Sequence, residues 1–114
     1  MEKDEVINGF MLEMRRGTII LCVLAKLSKP AYGYNLIAEL ADTGIPIETN
    51  TLYPLLRRLE SQGLLESSWD TETAKPRKYY ATTGFGNEVL NGLIDNWRKM
   101  TQNMNKILKG CSNE

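Results

Sequence analysis

The sequence contains no histidine in its 114 residues, and this absence removes the side chain that most often acts as a general base or a metal ligand. Catalytic arrangements of the Ser-His-Asp and Cys-His types are therefore excluded. The sequence also lacks a glycine-rich phosphate-binding loop and a pair of carboxylates in an apolar setting. From these absences we expect no enzymatic activity, no cofactor and no metal site.

Cysteines and long hydrophobic runs are also scarce. Of the two cysteines, Cys22 lies in an apolar run and Cys111 in the polar tail, so we expect a reducing compartment rather than a disulfide framework. The longest apolar run, residues 19–25, is far shorter than the ~20 residues that span a bilayer. The N-terminal sequence MEKDE is acidic and polar, unlike a signal peptide. We therefore expect a cytoplasmic protein without a membrane partner.

An excess of charge of either sign is absent as well. The 14 Lys and Arg residues balance the 14 Asp and Glu residues, so net charge neither favours nor excludes a nucleic-acid partner. Only a local cluster of basic residues would favour one. The hydrophobic content of 42% is ordinary for a globular protein, and the length allows one domain with a modest core.

The segment TNTLYPLLRRLESQG, residues 49–63, predicts the helix around which the rest of the chain is organised. Four leucines recur at the spacing of one helical face: Leu52, Leu55, Leu56 and Leu59. The opposite face is polar and basic: Asn50, Arg57 and Ser61, flanked by Tyr53 and Arg58. This polar face begins at the N-terminal end, which helix-turn-helix proteins insert into the DNA major groove. The alternative is a surface helix whose arginines are merely solvated.

Both ends of this helix carry signals. Thr49 and Asn50 are residues that cap free backbone amides, and Pro54 is tolerated best near a helix start. Gly63 is a stop signal. We therefore expect the helix to start within residues 49–51 and to end before Gly63.

Two apolar segments open the chain. A helical stripe from Val6 to Met14 predicts an N-terminal helix, and residues 18–27 are apolar on nearly every side, which predicts a central core helix. Whether Gly17 separates them or one helix runs through it stays open at this point.

A further helix follows the break at residues 28–30. Leu36, Ile37 and Leu40 are spaced to face inward. Two short helices joined by a connection with Gly44 form a helix-turn-helix, and the length of the connection suits the winged variety. Residues 45–47 fit a single small strand.

The pattern changes to that of a hairpin after Gly63. Residues 64–69 alternate in polarity, residues 70–76 are polar and turn-like, and residues 77–82 are strand-like. The tip and return strand carry the densest basic cluster of the chain: Lys75, Arg77 and Lys78. Such a hairpin after a helix-turn-helix is typical of a wing that lies against phosphates. The alternative is a solubilising loop with edge-protecting lysines.

The last segment predicts one long helix with Thr83 as its cap, although Gly84 and Gly86 weaken its first turn. Apolar residues then alternate in steps of three and four, as in a coiled-coil seam: Leu90, Leu93, Trp97, Met100, Met104, Ile107 and Cys111. So small a domain cannot cover this seam along its whole length. We therefore expect a second copy of the chain on it, the alternative being a helix that folds back onto its own domain.

These segments together resemble the PadR family of bacterial winged helix-turn-helix repressors. The matching pieces are RGTIILCVLAKLS, YGYNLIAEL, TLYPLLRRLESQGLL and PRKYYATTGFG, in the family's order and at about its spacing, over roughly residues 15–86. The single helix after the wing resembles the family's short form. The sequence ATTGFG departs from relatives that have Leu before the capping Thr and a charged residue after it.

The resemblance implies a homodimer built by the last helix and the N-terminal helix. Some short members bind planar aromatic drugs between tryptophans at the two-fold axis, as multidrug-sensing repressors, and Trp97 matches that position. The alternative for Trp97 is an aromatic side chain that only packs the interface. The composition at the start of the last helix adds a further expectation, that Gly84 and Gly86 lie near a hinge that lets the angle between the two winged domains change.

The sequence therefore predicts a mainly α fold with a small β-hairpin wing. Residues 1–82 are expected to form the winged helix-turn-helix domain with its N-terminal helix, and residues 83–114 the dimerisation helix. We expect a repressor of a palindromic duplex operator, released by an aromatic effector; the alternative is a protein-interaction module without sequence-specific DNA binding. The expected DNA contacts are Tyr34, Asn50, Thr51, Tyr53, Arg57, Lys75, Arg77 and Lys78.

Overall fold

The computed structural model describes residues 2–111 and contains five helices and a three-stranded sheet in that range. In chain order the elements are α1 (Lys3–Arg16), α2 (Ile19–Lys26), β1 (Ala31–Tyr32), α3 (Gly33–Asp42), α4 (Thr49–Ser61), β2 (Leu65–Asp70), β3 (Arg77–Thr82) and α5 (Gly84–Lys109). The predicted fold class, mainly α with a hairpin wing and a long last helix, is confirmed.

The core is built almost entirely of leucine. Each fully buried leucine contributes about 1.5–3 kcal/mol relative to an exposed one. The side chains with the least exposure come from α2 and its C-cap residue, α3, α4 and the start of β2: Val23, Leu24, Leu27, Leu36, Leu40, Leu52, Leu56, Leu59 and Leu65. Three of the four leucines predicted for the inner face of α4 are therefore buried, and Leu55 is partly buried against them.

α1 is a separate helix, because it ends at Arg16 and Gly17 and Thr18 form a turn, closed by the hydrogen bond from the Thr18 N–H to the Arg15 carbonyl, before α2 begins. None of its residues is buried. α2 is the predicted core helix, although only Val23 and Leu24 within it are buried, and it packs against the first part of α5. Within residues 2–111, no helix has the length and apolar character needed to cross a membrane.

The sheet has the order β1-β3-β2 and is antiparallel throughout. The prediction of a small strand at residues 45–47 was wrong, because these residues pair with no strand. The third strand of the sheet is β1, whose Tyr32 pairs with Tyr79. The backbone N–H of Ile45 donates instead to the carbonyl of Leu40, 2.8 Å away, and closes the end of α3. Pro46 has no N–H to give to a sheet.

α4 begins where predicted, but its predicted caps were wrong. Glu48 occupies the N-cap position and no side chain accepts a hydrogen bond there. Thr49 and Asn50 lie inside the first turn, and their side chains are exposed and do not cap the helix. The helix ends before Gly63, whose φ of 80° lies in the left-handed region that favours glycine. That part of the prediction is confirmed.

The junction between wing and α5 is firmly anchored. The backbone N–H of Gly86 donates to Oγ1 of Thr83 at 2.9 Å, which confirms Thr83 as the cap. The Thr83 hydroxyl donates to the carbonyl of Gly63 at 2.7 Å, and its N–H to that of Leu64 at 3.1 Å. Gly86 is buried, and a Cβ added to it would lie 2.1 Å from the Leu64 carbonyl oxygen. Close packing therefore accounts for the glycine at position 86, and the hinge suggested for Gly84 and Gly86 stays a prediction.

Candidate nucleic-acid interface

The outer face of α4 is polar and open to solvent. Asn50 and Arg57, seven residues apart, project from the same side of the helix and both are exposed. Leu52, Leu56 and Leu59 on the opposite side are buried. The leucine face thus fixes α4 on the core and leaves the predicted reading face without cover from any other described element.

α3 reaches α4 through a glycine contact. A Cβ added to Gly33 would lie 2.7 Å from Cε1 of Tyr53. Because glycine leaves this space free, the ring of Tyr53 packs directly on the first residue of α3. The next residue, Tyr34, is 76% exposed, so α3 presents an aromatic hydroxyl beside the reading face.

A cleft of about 580 Å³ opens between the start of α3, α4 and the wing. We call it the wing cleft, and it brings together four of the predicted DNA-contact residues: Tyr34, Tyr53, Arg77 and Lys78. Tyr32, Gly33, Asn35, Trp69 and Tyr80 complete its lining. The sequence reasoning assigned no role to Asn35 or Trp69. Trp69 had a usable signal, because it alternates with Leu65 and Ser67 on the strand face that turns toward α4.

The three basic residues of the wing have different surroundings. Nζ of Lys78 lies 3.6 Å from Oε1 of Glu60 on α4 and 5.2 Å from the ring centre of Tyr80. The hydroxyl of Ser67 donates to the same Glu60 carboxylate, so this group ties the wing to α4. Part of the Lys78 charge is thereby neutralised before any phosphate arrives.

Arg77 and Lys75 complete the cluster but do not share the position of Lys78. Adjacent residues of a strand point to opposite faces, and the Arg77 guanidinium lies 5.0 Å from the ring centre of Tyr32, away from Glu60. Lys75 is exposed in the turn, where its carbonyl accepts a hydrogen bond from the Thr73 hydroxyl. The cluster is compact in sequence and divided in space.

Tyr32 clamps the root of the wing. Its hydroxyl donates to Oδ2 of Asp70 at 2.9 Å, and its ring stacks on that of Tyr79 with 3.9 Å between ring centres. The neighbouring Tyr79 hydroxyl, burial and the Asp70 carboxylate all raise the pKa of Tyr32. The Glu72 N–H and the Tyr32 hydroxyl lower the pKa of Asp70. The clamp therefore joins β1 to the far strand across β3 while Asp70 is ionised.

A second recess, of about 330 Å³, lies on the other flank of α4, where it meets the α1–α2 junction. Thr51 lies here rather than on the open face, together with Arg16 and Arg58. Arg58 follows Thr51 by seven residues, so both lie on one helical stripe. Arg16 was missed because only the folded chain brings the end of α1 beside α4. The exposed polar face of α4 is thus flanked by Arg77 and Lys78 on one side and by Arg16 and Arg58 on the other.

The predicted seam on α5 divides into two parts. Leu90 belongs to the core of its own chain and Leu93 packs against that core. Every described residue from Asp95 onward is exposed, including the seam residues Trp97, Met100, Met104 and Ile107. Cys111, the last residue predicted for the seam, lies beyond the end of α5. Any interface on this helix therefore has Trp97 to Ile107 as its apolar surface.

The comparisons with known proteins agree with this geometry. The model of the "Transcriptional regulator PadR-like family" matches residues 20–92. Over 103 residues the chain is 30% identical to Transcriptional regulator Rv3488 of Mycobacterium tuberculosis, which covers 90% of this chain and 94% of that protein.

Solved structures of PadR-family regulators also resemble this chain. A PadR family transcriptional regulator from Eggerthella lenta is 53% identical with a TM-score of 0.88, over 92% of this chain and 94% of that one. A PadR-like transcriptional regulator from Bacillus cereus is 29% identical with a TM-score of 0.77, over 84% and 96% of the respective chains. The chain therefore belongs to the PadR-like family of transcriptional regulators, which are not enzymes.

Proposed function

We propose that this regulator is a homodimeric repressor that binds a palindromic duplex operator. The observation that carries the proposal is the exposed polar face of α4, placed between the wing cleft with Arg77 and Lys78 and the second recess with Arg16 and Arg58. A helix in the major groove has a phosphate backbone on each side. Cations on both flanks of α4 match that arrangement.

The contacts divide by position. Asn50 and Arg57 on the open face are the base readers, since Asn bonds adenine and Arg bonds guanine through two hydrogen bonds each. Thr51 faces one backbone from the second recess. Tyr34 and Tyr53 donate their hydroxyls to the other backbone from the wing cleft, and Arg77, Lys78 and the exposed Lys75 supply positive charge there.

A second copy of the chain is the partner that the α1 and α5 surfaces fit. The exposed apolar side chains of these two helices include Phe10, Met14, Trp97, Met100 and Ile107. The steps of three and four along α5 match the spacing of a helix that packs against another helix. We propose that residues 83–114 hold the dimer, with α1 beside them, and that residues 1–82 bind the operator. A two-fold dimer presents two α4 helices to two half-sites.

Trp97 is the proposed effector residue. Its side chain is 45% exposed in the single chain, and in the dimer the two copies would face each other near the two-fold axis. A planar aromatic compound between them would release the operator if it bound the DNA-incompetent geometry more tightly, and only to the extent of that difference. A repressor of this kind works in the cytoplasm, where the bacterial operator is.

Selection of bound duplexes from a random pool tests the proposal. We expect an inverted repeat whose half-sites are one or more helical turns apart, about 10–10.5 base pairs per turn. A protein-interaction module would enrich no sequence, and that result would refute the operator. Repeating the selection with planar aromatic compounds should lower recovery, and Trp97→Ala should abolish this response without loss of the fold.

A further inference from the structure

Trp69 is exposed in a place where packing within the chain does not account for it. Its side chain is 62% exposed, although it extends from β2 on the same face as the buried Leu65. Single exposed apolar residues are common on protein surfaces, but Trp69 shares the wing cleft with the exposed Tyr34 and the half-buried Tyr53. The cleft therefore combines several aromatic side chains that solvent can reach.

The charges that line the wing cleft favour an anionic ligand. Arg77 and Lys78 line it, and no Asp or Glu belongs to its lining. Trp69 pairs directly with Lys78 across the β2–β3 ladder, so the two side chains extend from the same face of the hairpin. The lining offers aromatic hydroxyls, an indole N–H and two cations, although the Tyr32 hydroxyl already donates to Asp70 and Nζ of Lys78 lies 3.6 Å from Glu60. The donors that remain suit an anionic chain with repeating apolar units.

The cleft is also continuous with the reading face. Tyr53 belongs to the lining and to α4, three residues after Asn50. A DNA strand that borders the groove occupied by α4 would thus reach the cleft. The backbone of that strand alternates phosphates with deoxyribose rings. The C–H face of a sugar packs well on an indole, while the adjoining phosphate accepts from the cations.

We propose that the wing cleft holds the sugar-phosphate backbone of one operator strand and that Trp69 packs against a deoxyribose there. This inference rests on the proposed DNA binding and adds Trp69 as a sequence-independent contact. Since the indole carries no charge, its contribution differs from that of the wing cations: it changes affinity without changing the number of counterions released.

Tryptophan emission provides the direct test. The chain has two tryptophans, Trp69 and Trp97, and Trp69→Phe removes one of them. Titration with a selected duplex and with a random duplex should shift the emission of the unaltered protein. The Trp69→Phe emission should stay flat although anisotropy of labelled DNA shows that the variant binds. An undiminished shift in Trp69→Phe, or no shift in the unaltered protein while DNA binds, would overturn the inference alone.

Affinity measurements complete the test. Trp69→Ala should weaken both duplexes by about tenfold, equivalent to 1.4 kcal/mol, with an unchanged slope of log K against log salt. Phe85→Ala is the matched control, because Phe85 is 56% exposed on the first turn of α5 and does not line the cleft; its affinity should equal that of the unaltered chain. Equal affinity of Trp69→Ala, or a loss confined to the selected duplex, would refute the packing on sugar. Absence of binding to any duplex would instead refute the proposed function itself.

Discussion

On α4 no large apolar side chain is exposed, whereas α1 and the outer part of α5 each expose several, among them Phe10, Met14, Trp97, Met100 and Ile107. Water solvates Asn50 and Arg57 at little cost, so the reading face is stable without a partner. Covering Trp97, Met100 and Ile107 would stabilise the protein by about 25 cal/mol for each Å² of apolar surface removed from water. The contrast fits the two proposed partners: DNA, which binds reversibly, on α4, and a second copy of the chain on α1 and α5.

α5 contains the same contrast within one helix. Its start is tied by Thr83 to Gly63 and Leu64 in the connection between α4 and β2, and it is closely packed at Gly86. Its last core residue with little exposure is Leu90. From Asp95 onward the helix continues without cover from the described chain. Since an uncovered helix gains little from tertiary packing, this part of α5 is where the proposed second copy of the chain would stabilise it.

The largest expected effect comes from breaking the apolar surface of α5. Met104→Glu places a charge in the seam of each subunit, where burial without a partner costs several kcal/mol. We expect the dimer dissociation constant to rise by at least about 100-fold, measured by light scattering after size exclusion, and operator affinity to fall with it.

Gln102→Glu is the matched control for that change, since Gln102 lies on the opposite side of α5 and is exposed. Its dimer should persist. Equal dissociation of both variants would mean that charge on α5, rather than loss of the seam, causes the effect.

The second effect concerns the packed part of α5. Gly86→Ala forces a Cβ against the Leu64 carbonyl, and overpacking of this kind costs about 2–3 kcal/mol of unfolding free energy. Gly84→Ala meets nothing within 4 Å and should be neutral or stabilising by up to about 1 kcal/mol. Urea unfolding followed by circular dichroism measures both. A stable Gly86→Ala variant would contradict the close packing.

The third effect tests the reading face. Asn50→Ala should lower the preference for the selected duplex over random duplex by about 1–3 kcal/mol, the value of a bidentate base contact. Asn91→Ala, an exposed asparagine on α5, should leave that preference unchanged. Equal losses on both duplexes would make Asn50 a positioning residue rather than a base reader.

The smallest effect distinguishes the wing cations from one another. Lys75→Ala should reduce the salt slope by about one unit, because Lys75 is exposed in the turn. Lys78→Ala should reduce it less, because Glu60 already lies 3.6 Å from its ammonium group. Fluorescence anisotropy over a range of salt concentrations measures both slopes. Equal reductions would show that Lys78 leaves Glu60 when DNA binds.

Local patterns predicted the elements that carry a periodic signal. The leucine spacing and Gly63 located α4, and the run RKYYAT matched β3 from Arg77 to Thr82. β1 was missed because a strand of two residues has no period and exists only through its pairing with β3. The N-cap of α4 was assigned to the wrong residues because residue type alone does not show which side chain accepts a hydrogen bond from the free backbone amides; here Glu48 occupies the N-cap position and no side chain accepts one.

The candidate site was predictable in part for the same reason. Asn50, Tyr53 and Arg57 follow from the helical wheel of α4 alone. Arg16 in the second recess and the separation of Arg77 from Lys78 depend on how distant segments pack. Sequence proximity had suggested one basic cluster, whereas the alternation of strand faces divides it.

The mass of the complex with a selected duplex tests the central claim most directly. Sedimentation equilibrium should give two chains of 12.9 kDa on each inverted repeat, and a duplex with a single half-site should bind far more weakly. One chain per duplex, or independent chains with equal affinity for each half-site, would contradict a dimer that presents two α4 helices together.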